Sequence, residues 1–152
     1  MAAREPERTK IEVRADMISR HISIFFYGLF MDADVLRTKG FEPANPRQAE
    51  IAGMALRIGK RATLVPDISG SVHGIVMDLT HNDIDRLYAD ESVASYRPEA
   101  VLARLSDSTS IAALCFNLPI PPERGVTNDE YREKLREVGR KVGLPTGYVD
   151  SV

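Results

Sequence analysis

The sequence lacks the residues and patterns that define several common classes of protein. It has one cysteine, Cys115, in 152 residues, which excludes an internal disulfide framework and a four-thiolate zinc site and favours a reducing compartment. The net charge is only -2 and no basic run stands apart from neighbouring acids, so nucleic acid is not expected as a partner. His21, His73 and His81 show no metal-ligand spacing, and we expect no metal site.

Long apolar runs and phosphate-binding loops are also missing. The apolar run at residues 22–30 is too short to span a bilayer and lacks the cleavage pattern of a secretory signal, so we expect no membrane partner and a cytoplasmic location. No glycine-rich phosphate loop occurs. The apolar fraction of 43% and the length predict one globular domain at residues 21–152, preceded by a flexible N-terminal tail at residues 1–20.

The order of the predicted elements is typical of an α+β domain. Strands are predicted over residues 22–27, 49–58, 62–65, 71–79, 96–105 and 111–118. Helices are predicted over residues 32–38, 80 to about 90, and 127–142. Residues 59–61 and 66–70 have turn composition. The order β-α-β-β-β-α-β-β-α does not alternate regularly, which predicts a mostly antiparallel, curved sheet.

The last predicted helix has the clearest pattern. Residues 127–130 are spaced as a capping box, and Gly143 ends the helix. Its apolar face consists of Tyr131, Leu135, Val138 and Val142. Glu130 with Lys134, and Glu137 with Lys141, are spaced to form ion pairs on the opposite face.

Four segments carry a resemblance to a known family. A hydrophobic strand ends in Tyr27-Gly28-Leu29-Phe30, and an apolar strand follows at residues 72–79. Residues 87–92 lead into a strand that starts Tyr96-Arg97, and a closing helix runs into residues 143–148. In this order they resemble the Tyr-Gly-Ser-x turn, the Val-x-Gly strand, the Leu-Asp-x-x-Glu-Gly segment with its Tyr-x-Arg strand, and the Gly-Leu-Pro-x-x-Tyr tail of the gamma-glutamylcyclotransferase-like family. The resemblance covers residues 22–149 and implies a small, mostly antiparallel β-barrel flanked by helices, with a pocket at one barrel mouth.

The resemblance also implies an activity and a substrate-binding turn. Members of the family release 5-oxoproline from gamma-glutamyl compounds, without a cofactor, when the substrate's α-amine attacks its own γ-carbonyl. By resemblance, backbone N–H groups of the turn formed by Tyr27, Gly28, Leu29 and Phe30 hold the substrate's α-carboxylate. Tyr96 is expected to line the same pocket, although strand tyrosines such as Tyr27 and Tyr96 are also typical core residues.

Glu91 matches the position of the family's catalytic acid. The resemblance implies that it takes a proton from the substrate amine and then donates one to the leaving amine. Asp90 is the alternative if the register is shifted by one residue, but the spacing from Leu87 favours Glu91. Leu29 stands where the family often has serine, and Ser92 stands where it has glycine.

Two further hypotheses stay open beside the cyclotransferase. One is a different acyl or amide transfer that uses Glu91; the other is a metabolite-binding domain of the same fold without turnover. Arg97 is interpreted as a surface residue, with pairing to a substrate carboxylate as the alternative. His73 is interpreted as an interior or rim residue and Cys115 as a small buried apolar residue, while a Cys115–His73 nucleophile pair stays an alternative. The expected partner is a small-molecule substrate, with a homodimer as the default assembly.

Overall fold

The structure is a computed structural model, and it describes residues 20–152. The predicted tail, residues 1–20, lies outside the described residues except for Arg20. The strands are β1 (His21–Phe26), β2 (Ala44–Ile58), β3 (Ala62–Thr80), β4 (Arg97–Leu105) and β5 (Ser110–Asn117). The helices are α1 (Ala33–Thr38), α2 (His81–Leu87), α3 (Asp129–Lys141) and α4 (Thr146–Ser151), and a 3-10 turn covers Leu29–Met31.

The five strands close into a barrel in the order β1-β3-β2-β4-β5. Every neighbouring pair is antiparallel except β1 and β5, which run parallel where Ile24 pairs with Leu114. The predicted α+β class and the mostly antiparallel barrel flanked by helices are therefore confirmed. Closure satisfies the backbone groups that an open sheet would leave at its edges.

The core fills the barrel and continues under the helices. In β3, Ile75, Val76 and Met77 are all buried, because one face points into the barrel and the other is covered. The apolar face of α3 buries Leu135, which joins the same core cluster as β1 and β3. Among residues 20–152, no helix is long and apolar enough to cross a membrane.

The prediction of two separate strands at residues 62–65 and 71–79 was wrong, because they form one strand, β3. Pro66 pairs with Met54 and Ser71 with Ala52, so residues 67–70 bulge out of a continuous ladder. The Asp67 carboxylate accepts hydrogen bonds from the backbone N–H and the hydroxyl of Ser69. The turn composition of this segment thus produces a bulge and leaves the chain direction unchanged.

Two details of the predicted last helix were also wrong. Asn128, and not Thr127, caps α3, because its side-chain oxygen accepts the Tyr131 N–H. Lys141 reaches across to α1 and contacts Asp32 at 2.8 Å and Asp34 at 3.1 Å, instead of pairing with Glu137. The predicted Glu130–Lys134 pair is present at 3.2 Å.

Candidate functional site

A cavity of about 280 Å³ opens at one mouth of the barrel. It lies at the end of β1. The last residue of β1, Phe26, pairs with Ile75, and the part of β3 before Ile75 extends beyond the end of β1. Its walls come from β1, the turn after it, the β2–β3 turn, the segment after α2, β5 and α3. The lining residues are Phe25, Phe26, Tyr27, Gly28, Leu29, Phe30, Lys60, Arg61, Ala62, Tyr88, Ser92, Val93, Tyr96, Phe116 and Tyr131.

Two buried polar side chains tie β3 to the end of β5 beside this mouth. The Asn117 side-chain oxygen accepts the Leu64 N–H at 3.3 Å, and the Thr63 hydroxyl oxygen accepts the Leu118 N–H at 2.9 Å. Both side chains are almost completely buried, so each bond replaces water that the backbone would otherwise need. The two bonds join β3 to the end of β5, the two strands that flank β1 in the barrel.

The turn after β1 presents a tight backbone surface to the cavity. The 3-10 turn begins after Gly28, whose carbonyl accepts the Met31 N–H at 3.0 Å. The first N–H groups of such a turn have no partner within it, so they can donate to a polar group from outside the turn. The cavity is lined by all five residues that the sequence analysis predicted to bind substrate, which are Tyr27, Gly28, Leu29, Phe30 and Tyr96.

Tyr131 of α3 lies directly over this turn. A Cβ added at Gly28 would come 3.0 Å from the Tyr131 hydroxyl, so only glycine leaves the present space between them. Burial raises the pKa of the Tyr131 phenol and the nearby Tyr96 raises it further, while a hydrogen bond from the Leu29 backbone N–H acts in the opposite direction. The Tyr131 hydroxyl oxygen therefore lies close to the backbone of the turn.

The tyrosines of the cavity stay protonated. Burial is the main cause that raises the pKa of Tyr27, Tyr88 and Tyr96 above the usual value for a phenol. The Tyr27 hydroxyl donates to the Phe116 carbonyl at 2.7 Å, and the Tyr96 hydroxyl donates to the Ala62 carbonyl. These groups act as hydrogen-bond donors and apolar walls and are not available as bases near neutral pH.

Glu91 lies in the turn that immediately precedes Ser92 and Val93, which line the cavity. Its side chain is exposed and is not part of the cavity wall. The neighbouring Asp90 carboxylate accepts the Ser92 N–H at 2.9 Å and the Ser92 hydroxyl at 2.6 Å, and these two bonds lower its pKa. Both acids are exposed, but the side chain of Asp90 is held by hydrogen bonds within the turn. The role of Glu91 stays a prediction.

Several cavity residues were missed as site residues by the sequence analysis. Tyr131 belongs to an apolar helix face, which indicated only core, and Tyr88 was considered only as part of the segment at residues 87–92. Lys60 and Arg61 were interpreted only as part of a turn. Only the fold brings them to the site, since the Asn128 side chain donates to the Gly59 carbonyl at 3.0 Å and so joins α3 to that turn.

His73 and Cys115 lie outside the cavity lining. The His73 ring packs against Tyr148 with 5.0 Å between ring centroids, and its Nε2 lies 3.8 Å from the Glu50 carboxylate. Cys115 is completely buried, as predicted for a small apolar residue, and its Sγ lies 3.7 Å from the Asn117 side-chain oxygen. Within residues 20–152 no group of three or more histidine, cysteine or acidic side chains is placed to hold a metal.

The contact between Gly28 and Tyr131 leads to a testable prediction about stability. We expect Gly28→Ala to lower the free energy of unfolding by about 1 kcal/mol, because the new methyl group displaces the Tyr131 hydroxyl. In a Tyr131→Phe background the same change is expected to cost less than half as much. Urea unfolding of the four proteins in this double-mutant cycle measures the coupling. Equal costs in both backgrounds would show that the hydroxyl does not lie over Gly28.

Cys115 predicts a loss of stability at alkaline pH. Burial is the main cause that raises the pKa of the thiol to about 12, and the nearby negative charge of Glu99 raises it as well. The hydrogen bond with Asn117 acts in the opposite direction and lowers the pKa. In the unfolded state the thiol has a pKa of about 8.5, so above that pH the native state binds more protons than the unfolded state. The free energy of unfolding therefore falls by about 1.4 kcal/mol per pH unit above that pH. We expect Cys115→Ala to show a correspondingly flatter decline in the free energy of unfolding between pH 8.5 and 10. Parallel declines in the two proteins would mean that the thiol titrates normally in the native state.

Comparison with known proteins assigns the family. The sequence model of the family described as gamma-glutamyl cyclotransferase, AIG2-like, matches residues 24–135, which include the turn after β1, the segment after α2 and the start of α3. No curated protein sequence matches the chain. The match covers most of the barrel and every wall of the cavity.

Solved structures have the same fold at low sequence identity. A gamma-glutamyl cyclotransferase superposes with a TM-score of 0.70 at 15% identity, covering 87% of this chain and 86% of the other. An uncharacterised protein from Homo sapiens gives 0.69 at 17% identity, covering 86% and 85%. YkqA from Bacillus subtilis gives 0.73 at 19% identity, covering 90% of this chain and 54% of that one. The chain belongs to the gamma-glutamyl cyclotransferase, AIG2-like family.

Proposed function

We propose that this protein is a cofactor-independent cyclotransferase that releases 5-oxoproline from a small gamma-glutamyl compound. The observation that carries the proposal is the cavity at the barrel mouth, whose floor includes the backbone turn at Gly28, Leu29 and Phe30. A chain of this family with that cavity has a place for a molecule the size of a gamma-glutamyl group.

The reaction needs few protein groups because both reacting atoms belong to one molecule. The substrate's α-amine nitrogen bonds to its own γ-carbonyl carbon, and the bond from that carbon to the leaving amine then breaks. One proton leaves the attacking nitrogen and one proton joins the leaving nitrogen, so the products are 5-oxoproline and a free amine. Holding the substrate in a folded conformation supplies much of the rate, since the entropy of bringing the groups together is already lost on binding.

The turn at residues 28–30 is proposed to bind the substrate's α-carboxylate. Leu29 carries no hydroxyl, so the contacts would come from backbone N–H groups, which is sufficient for a carboxylate. The Tyr131 hydroxyl lies over the same turn and remains protonated, so it can donate a hydrogen bond to a bound oxygen. Tyr27 and Tyr96 are proposed to shape the apolar walls, since their hydroxyls already donate to backbone carbonyls.

Glu91 is proposed as the general base and acid. It adjoins two residues of the cavity wall, Ser92 and Val93, and its side chain is not held in the turn as that of Asp90 is. A change of side-chain rotamer and a small movement of the turn would be needed to bring its carboxylate to the substrate amine. Catalytic hydrogen bonds often form only in the substrate complex, so the unliganded position is compatible with this role.

One observation favours a second candidate function, a ligand-binding domain without turnover. Of the described residues that line the cavity, none is acidic and none is a histidine, so the wall itself contains no base for neutral pH. If Glu91 does not enter, the cavity would bind a gamma-glutamyl ligand through the turn and release it unchanged.

Turnover and binding measured together decide between the two functions. The purified protein is incubated with gamma-glutamyl amines, amino acids and short peptides, and 5-oxoproline is detected by mass spectrometry, while calorimetry measures binding of the same compounds. Release of 5-oxoproline in proportion to enzyme concentration supports the cyclotransferase. Binding without release supports the binding domain, and neither binding nor release would contradict both functions.

A further inference from the structure

A second groove continues from the cavity across the β2–β3 turn. It has a volume of about 480 Å³ and shares Lys60 and Arg61 with the cavity, so these two residues form the rim between them. The other lining residues are Ser95, Arg97, Leu118, Pro119, Ile120 and Pro122. The cavity and the groove therefore form one continuous surface on which a ligand longer than a gamma-glutamyl group can lie.

The groove carries positive charge without acidic side chains in its described wall. Lys60, Arg61 and Arg97 all contribute to it, and no carboxylate among the described residues lines it. The ion pairs between described residues involve other cations, such as Arg47 with Asp78 and Arg104 with Glu50.

One of the cations, Arg97, is positioned by the protein. The Arg97 guanidinium donates to the Ala94 carbonyl at 2.7 Å and to the Tyr96 carbonyl at 2.9 Å, which fixes its place without neutralising its charge. Arg61 lines both the cavity and the groove, and its positive charge acts against the burial that raises the pKa of the Tyr96 phenol. The planar guanidinium group of arginine suits a planar carboxylate.

We propose that this groove is a second anion-binding subsite, in which Arg61, Arg97 and Lys60 bind a carboxylate at the far end of the ligand. The gamma-glutamyl end would lie in the cavity, and the connecting part would cross the rim beside Leu118 and the exposed Ile120. The proposal rests on the proposed function, since it concerns the leaving group of the same ligand. The ligand class is a gamma-glutamyl peptide with a free C-terminal carboxylate.

A matched pair of probes tests the subsite. The first is gamma-glutamyl-alanyl-glycine with a free C-terminal carboxylate, and the second is the same peptide with a C-terminal amide. Because one charge-assisted hydrogen bond is worth about tenfold or more in affinity, we expect the acid to have a kcat/KM at least about tenfold higher than the amide. Arg61→Gln and Arg97→Gln are expected to reduce this preference to about twofold or less, mainly by lowering the rate with the acid.

Lys134→Gln is the matched control, because Lys134 lies on the exposed face of α3 and pairs with Glu130. It is expected to retain the preference for the acid. Thermal unfolding of all variants checks that they fold. A wild-type protein that turns over acid and amide equally, or an Arg61→Gln and Arg97→Gln pair that keep the full preference, would overturn the subsite and leave the cyclotransferase standing.

Binding separates the subsite from the proposed function when no 5-oxoproline is released. Calorimetry with the same two peptides would then show tighter binding of the acid to the wild type, and loss of that difference in Arg61→Gln, if the subsite exists. Equal binding of both peptides, or binding of neither, would overturn it.

Discussion

Replacing Glu91 with glutamine is expected to lower the rate of 5-oxoproline release by about 100-fold or more, with little change in substrate affinity. A positioned general base and acid contributes about 10² to 10⁴ to a rate, and glutamine has nearly the same shape but cannot accept a proton. The side chain is exposed in the unliganded protein, so the substitution should not alter folding. Steady-state rates and calorimetric affinities with one gamma-glutamyl substrate give both quantities.

Asp90→Asn is the matched control. The Asp90 carboxylate is held by the Ser92 N–H and hydroxyl, and an asparagine side-chain oxygen can accept the same two bonds. We therefore expect this variant to keep the wild-type rate within about twofold. A large loss in Asp90→Asn with none in Glu91→Gln would show that the register of the resemblance is shifted by one residue. No loss in either variant would place the base outside this turn.

Gly74→Ala is expected to destabilise the protein by about 3 kcal/mol. A Cβ at this position in β3 would come 2.2 Å from the Phe26 carbonyl oxygen and 2.7 Å from the Phe25 ring. The first of these contacts is with backbone, so it can be relieved only by separating β1 from β3. That shift would also move the end of β1 that carries the turn at residues 28–30, so ligand affinity should fall as well.

Gly147→Ala controls for the change of residue type. Gly147 lies in α4, where an added Cβ meets no atom within 4 Å. Alanine is favoured over glycine in a helix, so this variant is expected to be unchanged or more stable by up to about 1 kcal/mol. Urea unfolding followed by circular dichroism compares both variants with the wild type. If Gly74→Ala unfolded at the wild-type urea concentration, β1 and β3 would not approach as closely as described.

The sequence predicted those parts of the fold that depend on local patterns. Strand β1 was predicted within one residue of its observed bounds. The prediction was accurate because a run of β-branched and aromatic residues stops just before Gly28. The start of α2 was also predicted at Thr80, and the Thr80 hydroxyl accepts the Asp83 N–H. These features need no information from distant parts of the chain.

The parts that were missed depend on long-range pairing. Residues 66–70 have the composition of a turn, and only the opposite strand β2 shows that they form a bulge in a continuous ladder. Lys141 is four residues from Glu137, but it forms its ion pairs with Asp32 and Asp34 at the start of α1. Sequence spacing cannot rank a local partner against one that the fold brings near.

The site was predicted in the same uneven way. The resemblance supplied Gly28 and its neighbours, which do line the cavity, because the family is recognised by that turn. It gave no role to Tyr131, Lys60 or Arg61, which reach the cavity from α3 and from the β2–β3 turn. Nothing in the local sequence distinguishes a tyrosine in the core from one that forms a cavity wall.

A crystal structure of the protein with 5-oxoproline bound tests the central claim most directly. The proposed function predicts the ligand in the cavity at the barrel mouth, with its carboxylate oxygens within hydrogen-bonding distance of the N–H groups of residues 28–30 and of the Tyr131 hydroxyl. A ligand bound elsewhere, or one whose carboxylate faces away from this turn while the cavity is open, would contradict it.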